Sequence, residues 1–192
     1  MQALLVIDAQ NEFSAKGQRA TDRGAEALAQ IQKRVQEARK QGLPIAWIRH
    51  FNLPHETPAF VPGTWGSEFQ PGMGPLFGSE KEIEFHKSVY GTFTGTDIES
   101  WLREQGITSL VLTGFLTHAC VSTTAREGIM RGYDVAVDPL GTATFALEHP
   151  ELGSLTAAQV HAAALLHVIN MGASLAAPVG SMLPQNEAVG QL

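Results

Sequence analysis

Short apolar runs separated by amphipathic stretches constrain this chain more than any other feature. Ala3–Ile7 (ALLVI), Pro44–Ile48 (PIAWI) and Leu110–Leu112 (LVL) contain no polar side chain. A strand with one wet face alternates apolar and polar residues. A strand without alternation is covered on both faces, as in parallel sheets. Between the first two runs, Asp22 to Gln41 carries Ala25, Leu28, Ile31, Val35 and Ala38 at helical spacing, and Gly42 follows as a C-cap. Strand, helix, strand implies a right-handed crossover and a parallel pair.

The alternation continues. Glu82–His86 (EIEFH) reads as a third strand with Lys87 just after it, and Thr96–Gln105 as a helix stopped by Gly106. Leu110–Leu112 is followed by an expected turn at Thr113–Gly114, then by a helix that starts near Cys120 and is capped at Gly132. Tyr133–Val137 (YDVAV) is a further strand ending at Asp138-Pro139, Leu155–Ile169 a helix, and Ser174–Ala177 a short last strand. The pattern predicts an α/β fold: a three-layer α-β-α sandwich around a doubly wound, mostly parallel sheet of about six strands. One domain is expected over 1–177, with 178–192 a tail or inter-subunit arm.

Composition narrows the function. The chain has 192 residues, 44% hydrophobic and 17% charged, which suits a single globular domain. Its net charge is −6 and it has no basic cluster, which argues against nucleic acid or an anionic membrane as partner. One cysteine precludes an internal disulfide and suits a reducing compartment. The opening residues read as a strand rather than a signal peptide, so a cytoplasmic location is expected.

In such a sheet, ligands bind at the carboxyl ends of the strands. Asp8, Lys87 and Cys120 all fall there. A thiol at a helix start gains thiolate character and sits beside backbone N–H groups able to hold an oxyanion. The plainer alternatives are a cap for Asp8, a surface cation for Lys87 and a small buried hydrophobe for Cys120. Arg49 to Lys81 is irregular and proline-rich. It either lines a pocket, with Trp65 and Phe69 as walls, or forms a surface excursion or oligomer contact. His118 reads as a pocket wall or surface residue, His161 and His167 as helix-face histidines. No glycine-rich phosphate loop is present, so no nucleotide cofactor is expected.

Three blocks carry a family resemblance: V-I-D-A-Q-N-E-F (Val6–Phe13), H-K-S-V-Y-G-T-F (His86–Phe93) and T-G-F-L-T-H-A-C-V-S-T-T-A-R (Thr113–Arg126), with G-Y-D-V-A-V-D (Gly132–Asp138) after them. In this order they resemble the isochorismatase-like cysteine hydrolases, which include nicotinamidases, N-carbamoylsarcosine amidases and ureidoacrylate amidohydrolases. The resemblance implies that Cys120 is the nucleophile, Asp8 the general base and then acid, and Lys87 the group that stabilises the thiolate. It implies a non-proline cis peptide between Phe115 and Leu116 and an oxyanion site at the N–H groups of Leu116 and Cys120. It implies C–N cleavage in a small amide, ureide or carbamoyl substrate through a thioester. A vinyl ether hydrolase and a catalytically silent binding protein are the alternatives. Phe13, Trp65, Tyr90, Phe93, Phe115 and Phe145 are the expected pocket residues. The family is commonly oligomeric, so a homo-oligomer of two or more copies is expected. Nicotinamidases bind a metal through an Asp-x-His pair and further histidines. Here isoleucine stands at 48 in the segment that holds His50, His55 and Glu56. No metal or other cofactor is therefore expected, and nicotinamide is not assumed as the substrate.

Overall fold

The computed structural model describes residues 1–53 and 55–180; the expected arm therefore lies, from residue 181 on, outside the described residues. The main elements are β1 (Gln2–Ile7), α1 (Gly24–Lys40), β2 (Ile45–His50), β3 (Glu82–Lys87), α2 (Ile98–Glu104), β4 (Ser109–Phe115) and α3 (Ser122–Met130). They continue with β5 (Asp134–Ala143), β6 (Leu147–His149), β7 (Gly153–Leu155), α4 (Ala157–Asn170) and β8 (Ser174–Leu175). Six strands form one sheet in the order β3-β2-β1-β4-β5-β8, every pairing parallel. The direction of winding reverses between β1 and β4, which is where a doubly wound sheet opens a crevice.

Two cores explain the apolar runs. On β1, Ala3, Leu5 and Ile7 face one layer while Leu4 and Val6 face the other. The first layer holds Ile98 and Leu102 of α2, Val121 and Ala125 around α3, and Leu165 and Val168 of α4. The second holds Ala27, Ile31, Val35 and Ala38 of α1, with Ala59 and Phe60 from the long loop. Trp47 on β2 has no exposed surface, and its indole N–H donates to Glu82 Oε2 at 2.9 Å, so its polar atom is satisfied inside the layer.

The structure departs from the sequence reading where polar or small residues sit inside strands. β4 does not turn at Thr113–Gly114 but runs to Phe115. Gly114 pairs with Ile7 at φ +113, and a Cβ there would lie 1.8 Å from the Ile7 carbonyl oxygen. The glycine marks a close approach of two strands, not a turn. β5 likewise passes Asp138-Pro139. Leu112 pairs with Val137 and Gly114 with Thr142, so residues 138–141 bulge from the ladder. Proline has no N–H to lend the ladder, which suits it to a bulge. The Asp138 carboxylate accepts from the N–H groups of Leu140 and Gly141 and pairs with Arg34 Nε at 2.6 Å. The antiparallel hairpin β6–β7 is exposed throughout, and its residues carry no apolar run to announce it. β3 ends on Lys87 itself, so this lysine is placed by the sheet.

Gly114→Ala is expected to lower the unfolding free energy by about 3 kcal/mol or more, because a side chain collides with backbone in a left-handed conformation. Urea denaturation measures it; a loss below about 1 kcal/mol contradicts the close approach.

Candidate active site

Asp8 follows β1 directly. Its backbone is left-handed, φ 53, and its N–H is held by the Ile48 carbonyl at 2.9 Å. Asp is among the few residues that tolerate this conformation, which here turns its carboxylate inward, fully buried. Lys87 ends β3, two strands from β1. Neighbouring strands lie about 4.8 Å apart, so its long side chain must cross the end of β2. Its ammonium donates to Asp8 Oδ2 at 2.8 Å, to Cys120 Sγ at 3.2 Å and to His50 Nδ1 at 3.2 Å. Cys120 arrives from β4 through one wide turn, Thr117–Val121, that precedes α3. The Leu116 carbonyl accepts from Ala119 and Val121 across it. The Phe115–Leu116 peptide is cis.

Two histidines brace that turn. His161 of α4 bonds Thr117 Oγ1 through Nδ1 at 2.9 Å, and His118 Nδ1 bonds Thr144 Oγ1 at 2.5 Å. His161 lies on a helix face, as its sequence position implies, and both histidines hold a fixed bond close to Cys120.

The charges follow from burial. Burial alone pushes the Lys87 ammonium down, but the Asp8 carboxylate and the Cys120 sulfur beside it outweigh this, and the group ends above its ordinary value. Burial pushes the Cys120 thiol up, and the Asp8 charge adds to it; Lys87 opposes and does not cancel them. The direction runs against the thiolate character expected of a thiol at a helix start, since both ends of an ion pair act on the sulfur at once. Asp8 Oδ1 is buried and, among the described residues, is the one buried side-chain nitrogen or oxygen without a hydrogen-bond partner.

A metal does not fit here. Asp8, His50 and Cys120 offer ligand atoms within 4.8 Å of one another. The Lys87 ammonium already touches all three. His55 is exposed, and Glu56 Oε2 accepts from the Leu53 N–H at 2.7 Å. Neither joins a cluster of ligand atoms among the described residues.

Asp8 and Cys120 open into a cavity of about 410 Å³. Phe13, Phe60, Val89 and Leu116 supply apolar wall; Arg19, Asn52, Glu56, Thr57 and Tyr90 supply polar groups. Of the expected aromatics, Phe13 and Tyr90 are there. Phe115 is fully buried behind Phe13, ring centroids 5.4 Å apart. Phe93 packs on Tyr133 in the opposite core, Phe145 meets His118 edge-on, and Trp65 is more than half exposed. Aromatic character alone did not separate wall from core, because both use the same side chains. The long loop reaches the cavity through Asn52, Glu56, Thr57 and Phe60, not through Trp65 or Phe69. A larger hollow, about 940 Å³, lies at the amino ends of the strands near Met1, Ser109 and Asp134 and contains none of the three reactive residues.

A family model described as an isochorismatase domain matches residues 2–173. An uncharacterized isochorismatase family protein of Bacillus subtilis, YddQ, is 32% identical over 148 residues, 76% of this chain and 81% of its own. The crystal structure of an isochorismatase from Pseudomonas putida superposes with a TM-score of 0.84 at 32% identity, covering 95% of this chain and 90% of that one. Nicotinamidase PncA of Bacillus subtilis superposes with a TM-score of 0.78 at 27% identity, covering 92% and 99%.

His50, His118 and His161 all lie below the ordinary histidine value of 6.5, each chiefly through burial and His50 also through Lys87. As pH falls through 6.5 the unfolded chain takes up these protons before the folded one does, so stability declines. Lys87 acts at the other end: its contribution is present below 10.5 and is lost as pH rises through its higher folded value. The urea midpoint is expected to fall between about pH 7 and pH 5.5, and to fall less in His161→Gln. A midpoint flat across that window contradicts neutral buried histidines.

Proposed function

The chain belongs to the isochorismatase family, and on that premise we propose that this hydrolase works through Cys120, cleaving the C–N bond of a small amide, ureide or carbamoyl substrate. The observation that carries the reading is Asp8 Oδ1, which has no hydrogen-bond partner and lies buried with the Cys120 thiol and a neutralising ammonium close by. A buried carboxylate oxygen left without a donor costs free energy. It has a use where it accepts a proton in the reaction.

Asp8 takes the thiol proton as Sγ attacks the carbonyl carbon, and Lys87, 3.2 Å away, stabilises the thiolate as it forms. The tetrahedral oxyanion falls to the N–H groups of Leu116, at the start of the turn, and of Cys120, within it. The C–N bond breaks, and Asp8 returns its proton to the leaving nitrogen, releasing ammonia or an amine and leaving a thioester. Water then attacks the thioester with Asp8 again as base. The acid leaves (a carboxylic acid from an amide, a carbamic acid from a ureide or carbamoyl group), Asp8 gives its proton to the departing sulfur, and the thiol is restored. Atoms balance as amide plus water to acid plus amine, and no step needs a metal. The solved structure of a nicotinamidase among its neighbours supports amide chemistry. The same reading includes a homo-oligomer and, given the single cysteine, a reducing compartment such as the cytoplasm. No described helix is long and apolar enough to cross a membrane.

Ammonia release from a panel of small amides and ureides tests this. Wild type is expected to turn over at least one of them, and Cys120→Ala to lose more than about 10³-fold in rate. Turnover that survives Cys120→Ala, or release from no amide while a vinyl ether is cleaved, overturns it.

A further inference from the structure

We propose that His50, set by Asn52, is the positioning residue that holds the Lys87 ammonium against the nucleophile. The meaning of that position rests on the cysteine-hydrolase reading above; the geometry stands independently of it.

An ammonium carries three N–H donors. Asp8 Oδ2 and Cys120 Sγ take two. The Lys87 side chain is fully buried, so water does not take the third; His50 Nδ1 does, at 3.2 Å. The strand order makes this contact. β2 lies between β1 and β3, and His50, its last residue, pairs in register with Lys87. Any side chain from β3 that reaches Asp8 passes His50.

For Nδ1 to accept, it must be bare, with the ring proton on Nε2. The neighbours require this. Asn52 Nδ2 donates to the Ala59 carbonyl at 3.2 Å, which turns Asn52 Oδ1 toward His50 Nε2 at 2.8 Å. A carbonyl oxygen only accepts, so Nε2 carries the proton. The ring itself is fixed. Buried Gln10 clamps the His50 backbone from both sides, accepting from its N–H at 2.8 Å and donating to its carbonyl at 2.9 Å. Phe60 packs edge-on against the imidazole, centroids 5.5 Å apart, from a left-handed backbone at φ 61. The charged groups facing the ring are Lys87 and Asp8; Asn52 and the Val89 carbonyl are its other polar neighbours.

The consequence is directional. With three acceptors placed, the ammonium points one N–H at Sγ. Without His50 it is free to turn both remaining donors toward the Asp8 carboxylate, and the sulfur loses its partner. His50 touches no reacting atom in this scheme and moves no proton. Asn52 and Phe60 sit on the loop that also lines the cavity, so the loop's conformation reaches the nucleophile through this chain of bonds.

Alkylation of Cys120 by iodoacetamide across about pH 7 to 9 tests the proposal without any substrate. His50→Leu is expected to react about tenfold more slowly than wild type at each pH, one pK unit of lost thiolate stabilisation. His50→Asn, whose amide oxygen can fall near the Nδ1 position, is expected within about threefold of wild type. Asn52→Leu, which touches neither Lys87 nor Cys120, is expected to slow the reaction as well. Matched circular dichroism and melting show that each variant folds; should His50→Leu fail to fold, Asn52→Leu and His50→Asn carry the test. A His50→Leu profile that overlays wild type overturns the proposal, as does a His50→Asn profile as slow as His50→Leu. Ammonia release reports the hydrolase reading separately, so either conclusion can fail alone.

Discussion

Two opposite charges lie side by side with no exposure to water: the Asp8 carboxylate and the Lys87 ammonium, 2.8 Å apart. Taking both out of water costs several kcal/mol per ion, and removing either partner alone costs about 3–5 kcal/mol. Such a pair contributes little to stability that a well-packed apolar pair would not supply. What it supplies is a fixed field at one sulfur. Cys120 stands beside both charges, its thiol pushed up by burial and by Asp8, with an ammonium 3.2 Å from the sulfur. In the proposed mechanism the sulfur ionises only as Asp8 accepts its proton.

The sheet makes the pair possible. Asp8 and Cys120 come from β1 and the end of β4, neighbours across the switch point, and the close pairing of Gly114 with Ile7 brings the two strand ends together. Lys87 comes from two strands away, and its reach over β2 puts His50 in its path. The long loop after β2 is stapled to the segment after β1. Asn11 N–H donates to Glu68, Gln70 N–H to Ala9, and Gln10 Nε2 to Ser67. These bonds fasten the cavity wall to the strand that carries Asp8.

Much of this was legible in the sequence. Uninterrupted apolar runs announced a sheet covered on both faces, and the positions of Asp8, Lys87 and Cys120 at strand ends put them on one edge. What stayed hidden has physical reasons. Gly114 and Asp138-Pro139 look like strand stops because glycine and proline usually are; here a close approach and a bulge use the same residues. Phe93, Phe115 and Phe145 look like pocket walls because an aromatic ring serves core and pocket alike. In the sequence His50 reads only as a candidate metal ligand. The signal that it meets Lys87 lies in the strand order, which local pattern does not contain. The direction of the thiol's shift was also out of reach, since it depends on how deeply the sulfur is buried beside a carboxylate.

In the proposed mechanism Cys120 becomes acylated while Asp8 carries its proton. Rapid-quench intact mass spectrometry during turnover of a small amide is expected to show a transient mass increase equal to the acyl group, mapped to the peptide that contains Cys120 and absent in Cys120→Ala. Steady turnover of that amide with no adduct on this peptide, or an adduct that persists in Cys120→Ala, contradicts it.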